Sequence, residues 1–155
     1  MRAEIIQWLG GLWERFFQGV GQSVAQMAPG LRAAIAISLG AIPGALSRYY
    51  LTLGFVRWLG PNFPYGTLVA NLTGAIVMGG FMTFTLDRSL AIPELRLLVT
   101  TGFLGSYTTF STYALETHAF LRDGHYTKGL LYGLGSVFCG VLGCEVGSLI
   151  ARRLP

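Results

Sequence analysis

Ser106, Tyr107, Thr108, Thr109, Ser111, Thr112 and Tyr113 crowd hydroxyl groups into one short run, Gly102 to Tyr113, that also holds Gly102 and Gly105 and is flanked by strongly apolar sequence. Inside a bilayer an irregular backbone survives only when buried in protein or lining a wet path, so this run reads as a broken membrane helix shaped around an ion. Gly102 and Gly105 permit backbone geometry that other residues resist, and a helix interrupted there leaves carbonyl oxygens to face a cation. Beyond the break, Phe110 and Tyr113 share a face at i, i+3. An aromatic ring has a positive edge, so rings turned edge-on line an anion path without holding the ion tightly; plain aromatic packing is the competing reading.

Other polar groups stand where lipid would not tolerate them alone. Arg48 follows the close-packing pattern Gly40-x-x-x-Gly44, with Pro43 and Ala45, and is the one basic residue well inside a predicted span. An intramembrane guanidinium is a functional candidate that would concentrate anions at a pore mouth; snorkelling toward the belt of Tyr49, Tyr50 and Trp58 is the alternative. Asn71 shares a helical face with Thr67, Ala70, Gly74 and Met78 and offers two N–H donors at mid-depth. Its alternative role is a helix–helix hydrogen bond worth roughly 0.6–2 kcal/mol. Gly129, Tyr132, Gly133, Ser136, Gly140, Gly143 and Gly147 form a stripe that reads first as tight packing, with the Tyr132 and Ser136 hydroxyls one turn apart upon it. Glu145 lies in the same segment as an interfacial or paired carboxylate and is assigned no role. Cys139 and Cys144 lack the spacing and the histidines of a metal or redox motif and read as free thiols.

The elements that must position these groups follow from composition. The chain has 155 residues, 52% of them hydrophobic and only 12% charged, against about a quarter charged in soluble domains. Mean hydropathy is +0.55, so an integral membrane protein is expected. The net charge of +4 is carried almost wholly by arginines at segment ends, a pattern that suits lipid headgroups and not nucleic acid. Since about 20 apolar residues cross the hydrocarbon, four spans are predicted near Leu31–Val56, Pro64–Leu86, Pro93–Leu121 and Thr127–Ala151. Gly60-Pro61-Asn62 with Pro64, then Asp87-Arg88-Ser89, then Arg122-Asp123-Gly124 mark the turns.

Residues 1–30 differ in kind. Ile5, Leu9, Leu12, Trp13, Phe16, Phe17, Val20 and Val24 recur at helical spacing opposite Glu4, Gln7, Gly11, Glu14, Gln18 and Gln22. This is an amphipathic helix, ended by Pro29-Gly30 and expected to lie in the membrane interface; an extra structural helix packed across the bundle is the alternative. The four-span domain is then 31–155. With an even span count both termini share a side, holding Arg2, Arg15, Arg32, Arg88, Arg96, Arg152 and Arg153 against Arg57, Arg122 and Lys128. The positive-inside rule places the termini in the cytoplasm. Without the arginines of the extension the bias falls to five against three, so a core of this kind would insert either way and the extension would tip the balance.

Taken together, Thr101 to Glu116, Gly44-Ala45-Leu46-Ser47-Arg48-Tyr49 and Gly66-Thr67-Leu68-Val69-Ala70-Asn71 resemble the small bacterial fluoride channels called CrcB or Fluc proteins, over about residues 34–152. The resemblance implies an all-α membrane protein with four transmembrane helices, the third broken near Gly105–Thr109. It also implies an antiparallel homodimer in the cell (inner) membrane, with two narrow pores along the subunit interface. It assigns the fluoride path to Arg48 near the entrance, Asn71 supporting the path, the Phe110 and Tyr113 rings, a hydroxyl track of Ser111, Thr112, Tyr132 and Ser136, and Glu116 near the inner fluoride path. It gives the backbone carbonyls of Gly105 and Thr108 to a structural sodium ion at the dimer centre. Tyr113 departs from the family's usual phenylalanine, and Ser106 stands where many relatives have glycine.

Fluoride is small and strongly hydrated, so a selective path must replace its lost water with dense hydrogen-bond donors in a tight bore. No paired catalytic carboxylates or nucleophile with base favour an enzyme. A small multidrug exporter is the main alternative, but such proteins resemble one another in carrying a first-span glutamate, and here that span has Arg48 and no acid. A membrane scaffold assembling partners through glycine faces is the other.

Overall fold

The structure is a computed structural model that describes residues 2–88 and 93–154, and every regular element among them is helical. In chain order these are α1 (Arg2–Gln26), α2 (Pro29–Leu59), α3 (Tyr65–Asp87), the short α4 (Pro93–Arg96), a π-helical segment (Leu97–Leu104), the single turn α5 (Gly105–Tyr107), α6 (Phe110–Arg122) and α7 (Tyr126–Arg153). Ser89 of the expected turn lies outside the described residues. So do the side chains of Glu4, Ile5, Phe16, Phe17, Val20 and Val24 on α1.

Three helices, α2, α3 and α7, are long and apolar enough to cross a membrane. The third segment expected from the sequence is instead divided among α4, the π-helical segment, α5 and α6, none of which has that length alone. Pro29 and Gly30 also differ from expectation: they open α2 instead of closing α1. The reason is local, since proline at the first helical position gives up an amide that has no intrahelical partner there. Gly60 (φ 80°) ends α2, its N–H donating to the Val56 carbonyl at 3.0 Å. Gly124 (φ 78°) ends α6 in a Schellman arrangement, with His125 N–H on the Phe120 carbonyl at 2.8 Å and Gly124 N–H on Leu121 at 3.2 Å.

The chain forms two compact units, one up to Ile35 and one from Ala36 onward. In the first, Ile6, Trp8, Leu9, Leu12 and Trp13 are exposed along one face of α1. In the second, α3 and α7 run parallel and meet through glycine. A side chain on Gly79 would overlap the Cys144 carbonyl oxygen, and one on Gly147 would overlap that of Ile76. Removing the Cβ lets the two backbones touch, which is how membrane helices gain packing energy without a hydrophobic drive between them. Gly40 and Gly44 of α2 do the same against the backbone of Leu98 and Phe103, and Gly102 returns the contact to the Ile37 carbonyl. Outward positions stay apolar and uncovered, among them Leu39, Ile42, Leu131, Leu134, Phe138 and Val141. A surface this apolar needs an apolar solvent or a partner.

Candidate functional site

The helical ladder fails at two threonines. Gly105 keeps ordinary helical angles (φ −63°, ψ −29°), whereas Thr108 (φ −85°, ψ 159°) and Thr109 (φ −152°, ψ 116°) are extended. The interruption thus falls at Thr108–Thr109. The glycines expected to permit it serve otherwise: Gly102 is where α2 comes into backbone contact. Just upstream, only the single turn α5 separates the wider π-helical turns of Leu97–Leu104 from this break.

A break leaves the last carbonyls of one helix and the first amides of the next without their usual partners. Side chains from α2, α3 and the break itself take them up. Asn71, on α3, grips Thr109 from both sides: its Nδ2 donates to the Thr109 carbonyl at 3.1 Å, and its Oδ1 accepts the Thr109 N–H at 2.8 Å. A primary amide offers a donor and an acceptor side by side, so it replaces a β-type pairing for a single extended residue. Arg48, half-buried on α2, donates from Nε to the Ser106 carbonyl at 3.1 Å. Thr109 then caps α6, its Oγ1 accepting the Thr112 N–H at 3.3 Å and donating to Thr112 Oγ1 at 3.0 Å, with Ser111 Oγ also at 3.3 Å. Thr108 folds back, its N–H and its hydroxyl both donating to the Leu104 carbonyl, at 3.0 and 2.9 Å.

This pattern has a consequence for the carbonyls. In an unbroken helix Gly105 would receive the Thr109 N–H and Thr108 would receive the Thr112 N–H. Asn71 takes the first, and the Thr109 hydroxyl the second. Gly105 and Thr108 therefore keep carbonyl oxygens released from the ladder, while the Ser106 carbonyl between them is given to Arg48.

On the other side of the break lies a cavity of about 220 Å³, lined by Asn71, Thr108, Thr109, Phe110, Tyr113, Ser136 and Val137. The Ser136 Oγ is buried and has no hydrogen-bond partner. The rings of Phe110 and Tyr113 are 5.6 Å apart and tilted by 46°. Phe110 is 77% exposed in the single chain, so this wall of the cavity is open. Asn71, Thr108, Phe110, Tyr113 and Ser136 are thus brought together, with Ser111 and Thr112 at the adjoining cap.

Glu116 and Tyr132 belong to a neighbouring network instead. Thr67 donates to Glu116 Oε1 at 2.8 Å and Tyr132 to Oε2 at 2.6 Å, both hydroxyl-bearing residues being almost wholly buried. Charge-assisted bonds of this kind hold a carboxylate in place. Tyr132 does not line the cavity at the break; its ring lies 5.5 Å from that of Tyr113, which does. The phenol of Tyr113 donates to the Gly133 carbonyl at 2.6 Å. Sequence reasoning did not pair Thr67 with Glu116 or find the Thr109 cap. The first spans distant segments, but a threonine just ahead of a helical run was a legible N-cap signal. No cluster of three or more His, Cys, Asp or Glu side chains suited to a metal occurs among the described residues.

Residues 35–148 match the family described as CrcB-like protein, Camphor Resistance (CrcB). The chain belongs to the CrcB family. It is 53% identical over 126 residues to a protein of Synechococcus sp. (strain JA-2-3B'a(2-13)) named fluoride-specific ion channel FluC, covering 81% of this chain and 97% of the relative. A protein of the same name from Synechocystis sp. (strain ATCC 27184 / PCC 6803 / Kazusa) is 52% identical over 128 residues, covering 83% and 98%. One from Clostridium perfringens (strain 13 / Type A) is 38% identical over 124 residues, covering 80% and 97%. With three membrane-length helices, this CrcB protein is a multi-pass membrane protein. The CrcB match begins only at residue 35, so α1 stands outside it.

Proposed function

We propose that this chain is a fluoride-selective channel that lets fluoride leave the cell passively across the cytoplasmic membrane. The observation that carries the reading is the double grip of Asn71 on Thr109, which holds a membrane segment open between α5 and α6. The names of its relatives point to the same ion.

In this reading residues 31–155 form the channel domain, with 93–122 as a fourth, interrupted crossing, and 1–30 an extension. Two copies pair antiparallel. Phe110 and Gly105, both exposed in the single chain, then face the partner, and each of two pores runs along the interface. Dehydrated fluoride meets the Ser136 hydroxyl, the hydroxyls of Ser111 and Thr112, the first amides of α6 and the edges of Phe110 and Tyr113. A helix N-terminus favours an anion through its unpaired amides and its dipole. Arg48 adds positive charge near the entrance while bracing Ser106, and Asn71 keeps the donors in register. Glu116, held by Thr67 and Tyr132, stands near the inner fluoride path.

The released carbonyls of Gly105 and Thr108 are hard oxygen donors, the chemistry that suits a sodium ion, and a second copy would bring an equal pair. When bound, such an ion would supply a fixed positive charge between the copies. The test is ion release from liposomes loaded with fluoride, with internal sodium present or replaced by a large organic cation. Passive release independent of a proton gradient is expected, slowing without sodium; proton-coupled release would favour an exporter instead.

A further inference from the structure

Where α3 and α7 reach their C-terminal ends, a groove of about 350 Å³ opens between them, lined by Ile76, Phe81, Phe84, Ile150, Ala151 and Leu154. Its floor is the Gly80–Gly147 crossing, where the two backbones come close. The groove lies far from the candidate ion site: Asn71 and Phe84 are separated by about 20 Å along α3 at 1.5 Å per residue. Nothing in the proposed ion path uses it.

The mouth is basic. The Arg88 guanidinium lies 4.3 Å from the centre of the Phe84 ring, and its Nη2 donates to the Leu154 carbonyl at 2.8 Å. Both partners line the groove, so the charge is fixed at its rim. Arg153, in the last turn of α7, follows Ile150 by three residues, about one helical turn, with Arg152 beside it. The acids at this end are Asp87 and Glu94, leaving the arginines in excess. An apolar slot at membrane depth that ends under clustered arginines matches one kind of molecule, a chain of methylenes attached to a phosphate.

We propose that this groove binds an anionic phospholipid, with one acyl chain along Phe81, Phe84 and Ile150 and the phosphate on Arg88 and Arg153. Phe84 holds the guanidinium in position by cation–π contact while shaping the slot for the chain. The assignment is independent of what the channel conducts.

Native mass spectrometry of the full chain, released from detergent with equal phosphatidylglycerol and phosphatidylcholine of the same acyl chains, tests this. Phosphatidylglycerol should be retained selectively. Arg88→Gln and Arg153→Gln should each weaken its retention about five-fold, the equivalent of about 1 kcal/mol per arginine. Arg88→Lys should keep most of it, and Arg57→Gln, at the opposite end of a span, should leave it unchanged. Ile150→Trp, which fills the slot and leaves every charge in place, should abolish selective retention; unchanged circular dichroism would show that each variant is folded. Equal retention of the two lipids, or no effect of Arg88→Gln, would overturn the proposal. Competition by inorganic phosphate alone would reduce the site to a headgroup contact and reject the acyl slot. Disulfide cross-linking between copies through Ile150→Cys, with Cys139 and Cys144 replaced by alanine, would show that a second copy covers the groove and would also overturn it.

Discussion

The α3–α7 seam and the break between α5 and α6 meet the same demand, a satisfied backbone in a medium without water, by opposite means. Along the seam both helices run uninterrupted, and glycine removes side chains so that two backbones touch, as at Gly79 against Cys144 and Gly147 against Ile76. At the break the ladder is given up for two residues, and polar side chains from α2, α3 and the break itself stand in for it. The seam therefore depends on atoms that are absent, and the break on atoms that are present. Deletions should harm the second and additions the first.

The largest effect is expected from an addition at the seam. Gly147→Val would drive a Cβ into the Ile76 carbonyl and should cost about 3 kcal/mol or more, read as loss of folded protein on thermal unfolding in detergent. Next comes a deletion at the break: Asn71→Ala strands both the N–H and the carbonyl of Thr109, at about 2 kcal/mol, and fluoride release from liposomes should fall with it. A smaller change is expected for Tyr113→Phe. It removes one bond to the Gly133 carbonyl, about 1 kcal/mol by the same unfolding measurement, and should retain fluoride flux because the ring edge remains. The smallest is Gly140→Ala, since no atom lies within 4 Å of the added methyl; its unfolding midpoint should shift by no more than about 0.5 kcal/mol allows. A large loss from Gly140→Ala, or none from Gly147→Val, would break the contrast.

Much of this was legible in the sequence, for reasons that can be named. Asn71 stood out because an amide at mid-span must be spent on something, and Gly40, Gly44 and Gly147 because their spacing marks a helix face. Helical periodicity also placed Tyr132 and Ser136 on one stripe. What the sequence hid depends on contact between distant segments. The π-helical turns of Leu97–Leu104 carry no compositional mark, and they arise where Gly102 and Phe103 meet Gly40 and Gly44. The break fell at Thr108–Thr109 and not at glycine because Asn71 supplies the bonds that make an extended threonine affordable there. Thr67 and Tyr132 on Glu116 could be paired only once α3, α6 and α7 were set side by side. Pro29 looked like a stop because proline also opens helices, and the residues before it do not distinguish the two uses.

The central claim, that the held-open break serves fluoride, is tested most directly by loading the protein into liposomes with equal fluoride and chloride and following both ions as they leave. Rapid fluoride release with chloride retained, lost in Asn71→Ala, is the predicted result. Equal release of the two ions, or release of neither, would contradict it.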